Sequence, residues 1–540
     1  MKTAYFNGIV YTGELPLREA FLVEKGVFRS VGTDAEILSA LQPGDEQVDL
    51  EGHFVCAGFN DSHMHLLNFG QVLHGARLAE HTASLREMLI YLREFLLKNP
   101  LRPGQWLKGR GWNQDYFTDT SRMPDRYDLD SVSAEIPIRI MRTCGHCCVV
   151  NSRALELAGI DRDTSDPEGG SIGRGADGEP DGRFYENAIE MLNVVMPQPD
   201  KEALKEMILL AMKEVNRYGI TGVQSDDYST FREVPWQLIN EAYRELEAEG
   251  LMTVRVNEQC NFTELSELKE FIEAGNITGK GSDFFRIGPL KLLGDGSLGS
   301  RTAHLSKPYL NENSYGFSLF DPQYLKEIIS YAHAHGMQIA VHAIGDACLD
   351  EVLDAYEAAL ASAPRPDHRH GIVHCQISRA DQLERIARVG LHVYAQSIFL
   401  DYDNHIVEKL VPSELAETSY SWKTLLEKGV CVSNGSDCPV ELPNVMAGIQ
   451  CAVTRQSLDG FGPFLPREAF TVQDALDSFT SAGARASFEE NKKGMIREGM
   501  LADFVVLDVD PFCTELTDLH NISVQALYLG GEKVFEKYGE

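Results

Sequence analysis

The sequence predicts an α/β protein built on a distorted barrel of eight strand and helix units, the (β/α)8 or TIM barrel fold. Short β-rich runs alternate with amphipathic helical stretches, as parallel α/β folds require. From the second strand candidate onward, the starts are 22 to 53 residues apart, which fits successive strand and helix units. The eight candidates cover residues 54–65, 221–227, 252–260, 285–297, 338–346, 370–376, 392–399 and 430–439.

Both ends of the chain carry further β segments. AYFNGIVYTG and AFLVEKGVFRSVG open the sequence, and MLADFVVLDVD and VQALYLGGEKVFEKYG close it. These segments alternate or run apolar between turn residues, which is typical of short strands. We therefore expect one small β unit built from both termini, over residues 1–53 and 494–540.

A long gap follows the first strand candidate. The 155 residues between positions 65 and 221 are far too many for one crossover. We expect a separate insertion over residues 76–199, with the barrel over 54–75 and 200–493. Helical spacing of apolar residues predicts a helix from Lys201 to Tyr218 that ends at Gly219, and another over residues 323–335.

The charge of the chain excludes some classes of partner. With 49 Lys and Arg against 81 Asp and Glu, the formal net charge is −32, which would repel phosphate backbones and anionic membranes. No apolar run approaches the roughly 18 to 20 residues of a membrane span, and the first residues lack a secretory signal. Eleven scattered cysteines fit reduced thiols better than a disulfide framework. We expect a cytoplasmic protein with no nucleic-acid or membrane partner.

Histidines at predicted strand ends suggest a metal site. Side chains alternate along a strand, so His63 and His65 in HMH point the same way from one strand end. Two adjacent imidazoles suit a metal ion, although the spacing also fits a pair of hydrogen-bonded core histidines. Barrel active sites lie at the C-terminal ends of the strands. Four later strands carry candidates at comparable positions: Lys291, His342, His374 and Asp437.

Each of these four candidates has a chemical role and an ordinary alternative. Lys291 has apolar neighbours on both sides, and a buried, neutral amine can react with carbon dioxide to give a carbamate that bridges two metal ions. The alternative is a lysine that extends out of the strand end. His342 and His374 each close an apolar strand, where a lone histidine is more often structural. The carboxylate of Asp437 could bind metal and take a proton from water.

The ordered set of motifs resembles the amidohydrolase superfamily of metal-dependent hydrolases. Within it the chain is similar to the YtcJ-like branch, also called amidohydrolase family 3, which includes N-substituted formamide deformylase. The resemblance covers nearly the whole chain. It is carried by AGFNDSHMH, GRGWNQ, GHCCVVNSRAL, DGRFYENA, GPLKLLGDGSLGSRTAHL, VHAIGD, RHGIVHC, NGSDCPV and MIREGMLADFVVLDVDP.

The resemblance implies a binuclear centre, usually of zinc, on a barrel beside a β-sandwich made from both termini. The implied ligands of the more buried metal are His63, His65 and Asp437. Those of the other metal are His342 and His374, with a carboxylated Lys291 as the bridge. RHGIVHC departs from the family because no acidic residue stands just before the histidine. That departure leaves the hydrogen-bond support of His374 open.

The resemblance also implies that the insertion reaches over the barrel mouth and supplies substrate-binding residues. Trp112, His146 and Glu186 are the candidates there, and Trp112 could equally belong to the insertion core. His146 could donate to a substrate carbonyl oxygen or be an ordinary loop histidine. Arg301, after the fourth strand candidate, could pair with a substrate carboxylate or lie in solvent.

Three other patterns favour different functions only weakly. Cys144 to Cys147 spells a dithiol redox motif, but no thioredoxin-like unit surrounds it. Residues 294–299 match G-x-G-x-x-G, yet the following segment contains a proline and lacks an amphipathic helix pattern. His333 and His335 lie in the last turn of a predicted helix, where their side chains diverge, so we do not expect them to be ligands.

The sequence therefore predicts a metal-dependent hydrolase of a small molecule, with an amide or formamide-like C–N bond as the point of attack. Two alternatives stay open. One is a mononuclear deaminase of an aminated heterocycle, which does not need Lys291 as a bridge. The other is a non-enzymatic regulator or binding protein that has kept the barrel. A homodimer is the default expectation, because symmetric homodimers are the commonest oligomers.

Overall fold

The structure is a computed structural model that describes residues 2–101, 104–143, 146–167, 169–231 and 233–537. Backbone packing divides the chain into two compact units. One unit comprises Met1–Asn68 with Ala211–Glu540, and the other comprises Phe69–Leu210. The second unit includes the predicted insertion 76–199.

An eight-stranded parallel sheet forms the centre of the first unit, which confirms the predicted barrel. Each strand pairs with the next one along the chain, so the order in the sheet is the order in the sequence. All residues of most strands are buried, as expected for strands covered on both faces. The strands are β1 (Phe59–Met64), β2 (Ile220–Ser225), β3 (Arg255–Asn261), β4 (Phe285–Leu293), β5 (Ile339–Ala343), β6 (Gly371–His374), β7 (His392–Ala395) and β8 (Val432–Asn434).

The barrel closes through the segment that follows β8. The backbone N–H of Asp437 donates to His63 O at 2.8 Å, and the N–H of His65 donates to Cys438 O at 2.8 Å. The buried carboxylate of Asp61 adds a third link, since it accepts from the Ser436 hydroxyl at 2.5 Å. These bonds bring the first and last strands together at their C-terminal ends.

Helices follow the strands as the α/β pattern requires. Twelve helices among the described residues of the first unit come after β2, and one of them, Ala380–Val389, ends at Gly390 in the left-handed region. They are Trp236–Ala248, Leu265–Glu273, Pro322–Ala334, Asp346–Ser362, Ala380–Val389, Leu400–Asp403, Val407–Leu410, Ser413–Ala416, Trp422–Glu427, Val445–Thr454, Val472–Ser478 and Ser481–Ala486. Helix Lys201–Asn216 precedes β2, and helices Asp34–Ser39 and Leu66–His74 lie near the N-terminus.

Two smaller sheets pack together, and the second of them joins strands from both ends of the chain, which confirms the predicted β-sandwich. Aromatic rings fill the core between them, including Phe21, Phe28 and Phe504. One sheet holds Lys2–Phe6, Ala20–Glu24, Val27–Gly32 and Glu46–Asp49. The other holds Ile9–Val10, Phe54–Ala57, Phe504–Leu507, Val524–Leu529 and Glu532–Glu536.

The second unit has its own six-stranded sheet and its own apolar core. Its helices are Leu85–Lys98, Arg126–Asp130, Ser152–Ala158 and Glu190–Asn193. Its strands are Ala76–Arg77, Leu107–Trp112, Ile138–Arg142, Cys147–Val150, Gly170–Arg174 and Pro180–Glu186. Within the residues that the structure describes in either unit, no helix is long and apolar enough to cross a membrane.

Gly435 lies at a close backbone approach within the barrel closure, and its substitution tests that closure. A Cβ added there would lie 2.6 Å from His63 N and 2.8 Å from His63 O, and backbone atoms cannot move aside cheaply. We expect Gly435→Ala to lower stability by about 1–3 kcal/mol through overpacking. The measurement is the thermal unfolding midpoint. Gly299→Ala is the control, because a Cβ there meets only ordinary contacts of 3.7 Å or more. Equal midpoints in the two variants would contradict the close approach.

Candidate metal centre

Three buried side chains meet at the C-terminal end of the barrel. The ligand atoms of His63, His374 and Asp437 all lie within 4.8 Å of one another. His63 comes from β1, His374 ends β6, and Asp437 follows β8. The sequence spreads these residues over more than 370 positions, and the closed parallel barrel brings their strand ends together.

His65 joins the group through Asp437. Its Nε2 lies 3.1 Å from Asp437 Oδ1, and His63 Nε2 lies 3.3 Å from the same oxygen. The two histidine rings are 5.3 Å apart, as the alternation of side chains along β1 predicted. Burial raises the pKa of Asp437, but the two neighbouring imidazoles, His63 and His65, outweigh it and hold that pKa well below its ordinary value.

Hydrogen bonds fix which nitrogen each histidine presents to the centre. His63 Nδ1 lies 2.7 Å from Gln259 Oε1, and the Gln259 amide nitrogen donates to Ser62 O. The amide oxygen of Gln259 is therefore the atom that faces His63, so Nδ1 carries the proton. In the neutral ring, Nε2 then holds the lone pair and faces Asp437, and this is the form that ligates a metal.

His374 and His65 have the same arrangement. His374 Nδ1 lies 2.7 Å from Gln396 Oε1, while Gln396 Nε2 donates to Tyr394 O at 3.0 Å. His65 Nδ1 lies 3.0 Å from the backbone carbonyl of Asp226, which can only accept. All three imidazoles thus offer Nε2. Gln396 also supplies the support for His374 that the missing acidic residue left open.

The backbone is strained at two of the candidate ligands. His374 has φ = 75°, Cys375 has φ = 50° and Asp437 has φ = 58°, all in the left-handed region that ordinary residues avoid. Such conformations cost about 1–3 kcal/mol each and persist where the surrounding structure enforces them. The strain aims both side chains into the same space, as is common at functional sites.

Lys291 lies in β4, fully inside the barrel. Its side chain is 1 % exposed. Burial lowers the pKa of the amine, while the carboxylates of Asp226 and Asp437 oppose that shift. The amine therefore loses its proton more easily than an exposed lysine does, which is the condition that the predicted carbamate requires.

His342 is turned toward a different partner. Its ring lies 4.4 Å from the ring of His374, but its Nε2 lies 3.1 Å from Gly296 O and 3.2 Å from Asp295 Oδ1. Because a backbone carbonyl only accepts, Nε2 carries the proton and Nδ1 holds the lone pair. His342 is thus next to the three-residue cluster without being part of it.

The donor atoms that meet here fit a divalent metal ion. Imidazole nitrogens and a carboxylate oxygen are the ligands that zinc and its neighbours in the first transition row accept. The Nδ1 partners of His63, His65 and His374 are the kind of support that metal-binding histidines have. The chain thus has a candidate site for a divalent metal.

The predicted substrate-binding residues lie in different settings. Trp112 is fully buried in the apolar core of the second unit. His146 and Glu186, in that unit, are both exposed and pair at 2.9 Å between Nδ1 and Oε2. Arg301, in the first unit, pairs with Glu312. These four assignments stay predictions.

Gln259 and Gln396 are the site residues that sequence reasoning missed. Each stands at the C-terminal end of a barrel strand, and that position was the available signal.

The structure also shows the surroundings of two of the weak sequence patterns. Residues 294–299 lead into turns rather than a helix, and buried His333 bonds to His370. Cys144 of the redox motif lies outside the described residues.

Comparisons with known proteins agree with this architecture. A model described as the amidohydrolase family matches residues 46–535. Putative amidohydrolase YtcJ of Bacillus subtilis is 32% identical over 99% of this chain and 100% of its own length. The N-substituted formamide deformylase of Arthrobacter pascens is 28% identical, over 96% and 95%. An uncharacterized metal-dependent hydrolase from Pyrococcus furiosus, a solved structure, has a TM-score of 0.79 and 27% identity, over 95% and 100%.

Two variants of Gln396 test the support of His374. Gln396→Leu removes the oxygen that accepts from His374 Nδ1, and we expect metal affinity to fall by roughly 10- to 100-fold. Gln396→Glu keeps an acceptor oxygen, so we expect most of the affinity to return. Both variants lose the hydrogen bond that Gln396 Nε2 donates to Tyr394 O. They differ only in whether an oxygen remains to accept from His374 Nδ1. Zinc titration against a competing chelator measures the effect. Equal affinities in the two variants would contradict this role.

Proposed function

Because this chain belongs to the amidohydrolase family, we propose that it is a metal-dependent hydrolase that cleaves a C–N bond of an amide or N-substituted amide. The observation that carries the proposal is the buried cluster of His63, His374 and Asp437, with each histidine fixed to offer Nε2. The relative that deformylates N-substituted formamides supports the amide class of substrate.

We assign the residues of the centre to two metal sites, with zinc as the metal. His63, His65 and Asp437 would hold one ion, and His342 and His374 would hold the other. Lys291 would bridge them as a carbamate, formed when its neutral amine nitrogen bonds to the carbon of carbon dioxide and releases a proton. Bound metal ions lower the pKa of water toward neutrality and polarise a carbonyl group.

The residues of this chain would then move the proton. Asp437 accepts the proton of the attacking water at a carboxylate oxygen and later gives it to the leaving nitrogen. The water oxygen bonds to the carbonyl carbon, the C–N bond breaks, and a carboxylic acid and an amine result. Gln259 and Gln396 hold the His63 and His374 rings in one orientation throughout, because their acceptor oxygens keep the proton on Nδ1.

A mononuclear deaminase is the second candidate, and one observation favours it. The cluster within 4.8 Å contains His63, His374 and Asp437, while Nε2 of His342 bonds to Gly296 O instead. A single ion in that cluster would leave Lys291 without a bridging role. The number of metal ions per chain separates the two candidates.

Metal stoichiometry is the measurement that decides between them. In protein purified without chelator, we expect about two ions per chain by elemental mass spectrometry, and a clear loss in Lys291→Ala. Lys269→Ala, which changes a lysine on the helix Leu265–Glu273, is the control and should keep both ions. One ion in the native chain and in both variants would favour the deaminase and redirect the substrate screen to aminated heterocycles.

Replacing Asp437 by Asn tests the proposed proton transfer. The amide keeps the size of the side chain but is a far weaker base, so we expect the fold to persist and kcat for an amide substrate to fall by at least about 100-fold. Circular dichroism and the metal content report on the fold and on the loaded site. Turnover near that of the native chain would refute the assignment of Asp437.

A further inference from the structure

A cleft opens beside the metal centre, at the C-terminal ends of five consecutive barrel strands. It has a volume of about 170 Å³ and is lined by the loops that follow β4, β5, β6, β7 and β8. We call it the mouth cleft. One of its walls, Phe399, stacks on the ring of His374 with centroids 5.8 Å apart. A group bound in the mouth cleft against Phe399 would therefore be separated from the candidate ligand His374 by the Phe399 ring alone.

Most of the wall is apolar. Leu298 and Ile344 are buried, while Val440 and Tyr402 are more than half exposed. An apolar cavity of about 150 Å³ is large enough to hold a benzene ring. The mouth cleft can thus accept a six-membered ring or a branched alkyl group of similar size.

The charged groups of the mouth cleft are acidic. Of the described residues that line it, two are carboxylates, Asp403 and Glu441, and none is a lysine or arginine. Asp403 is held in place by the Tyr420 hydroxyl at 2.8 Å and by Gln376 Nε2 at 2.9 Å. Arg301, two residues beyond the lining residue Gly299 on the same loop, is paired with Glu312.

Two further observations favour a positively charged hydrogen-bond donor as the group that binds in the mouth cleft. The amide oxygen of Gln376 is buried and has no hydrogen-bond partner among the described residues, so an acceptor is left free. Burial, together with the negative charges of Asp401 and Asp403, raises the pKa of Glu441 to about 7. Burial also raises the pKa of Asp403, to about 6. A cation bound here would relieve the repulsion between these carboxylates.

We propose that the mouth cleft receives the part of an amide substrate that carries a protonated amine on a small apolar group, with Asp403 and Glu441 as the charges that select it. The inference rests on the proposed function, because it takes the adjoining metal centre as the place where the bond is cleaved. The apolar walls hold the carbon skeleton, and the two carboxylates with the free oxygen of Gln376 accept from the ammonium group. Substrates with a carboxylate in that position are disfavoured.

Cyclohexylamine and cyclohexanol test this selection, because they share one ring and differ in the charge of a single group. Isothermal titration calorimetry uses the full-length, metal-loaded protein at pH 8, where the amine is still protonated. We expect the amine to bind at least about tenfold more tightly than the alcohol. This comparison of binding affinities does not depend on turnover.

Glu441→Gln is the variant that tests the charge directly. It keeps the shape of the mouth cleft, and we expect the preference for the amine to fall at least about threefold. Glu384→Gln is the matched control, because it removes an exposed carboxylate that pairs with Lys428 on the surface. We expect the control to keep the native preference. Asp403→Asn is a second variant, with the same expected loss of preference. Because Asp403 also bonds to Tyr420 and Gln376, its binding result counts only if the thermal unfolding midpoint is unchanged.

The outcomes separate this inference from the proposed function. An amine preference that depends on Glu441 supports the inference even if no amide is hydrolysed, in which case the proposed function alone fails. Amide hydrolysis with equal binding of the two probes overturns the inference and leaves the proposed function in place. An amine preference that Glu441→Gln leaves unchanged also overturns it, since the amine would then be binding elsewhere, for example to the metal.

Discussion

The closure of the barrel is the constraint on which the candidate site depends. Two backbone hydrogen bonds join the segment after β8 to β1, and both involve residues at the candidate ligands: His63 O accepts from Asp437 N, and His65 N donates to Cys438 O. The bonds that complete the sheet therefore also set the distance between the first and last ligands. A shift of one residue between these segments would move the Asp437 carboxylate away from both imidazoles.

The second determinant is the set of hydrogen-bond acceptors around the histidines. Gln259, Gln396 and the carbonyl of Asp226 lie at the ends of β3, β7 and β2, and each holds the proton of one ring on Nδ1. Neutral amide and carbonyl oxygens do this without adding a buried charge. The lone pairs at the centre are thus arranged by the same parallel strands that place the rings.

The sequence predicts the fold more completely than it predicts the site. Eight β-rich runs that alternate with helical stretches predict the barrel, and β segments at both ends of the chain predict the sandwich. His63, His374 and Asp437 follow from a simple rule, since polar residues that end buried parallel strands converge at one end of the barrel. Their partners do not follow from it, because Gln259 and Gln396 act across strands, and the register that brings them near a ring is a tertiary property. The orientation of His342 is unpredictable for the same reason: Gly296, whose carbonyl faces its ring, lies in a loop.

The way the chain is threaded through the two small sheets has a consequence for its synthesis. Phe54–Ala57 pairs antiparallel with Phe504–Leu507, and β1 meets the segment after β8, so each of these two early strands lacks one of its neighbours until most of the chain has been made. Contacts of such sequence separation form late and fold slowly. During translation the early strands therefore carry unpaired edges and exposed apolar side chains for a long time. The nascent chain should depend on chaperones far more than a protein whose terminal strands pair with near neighbours.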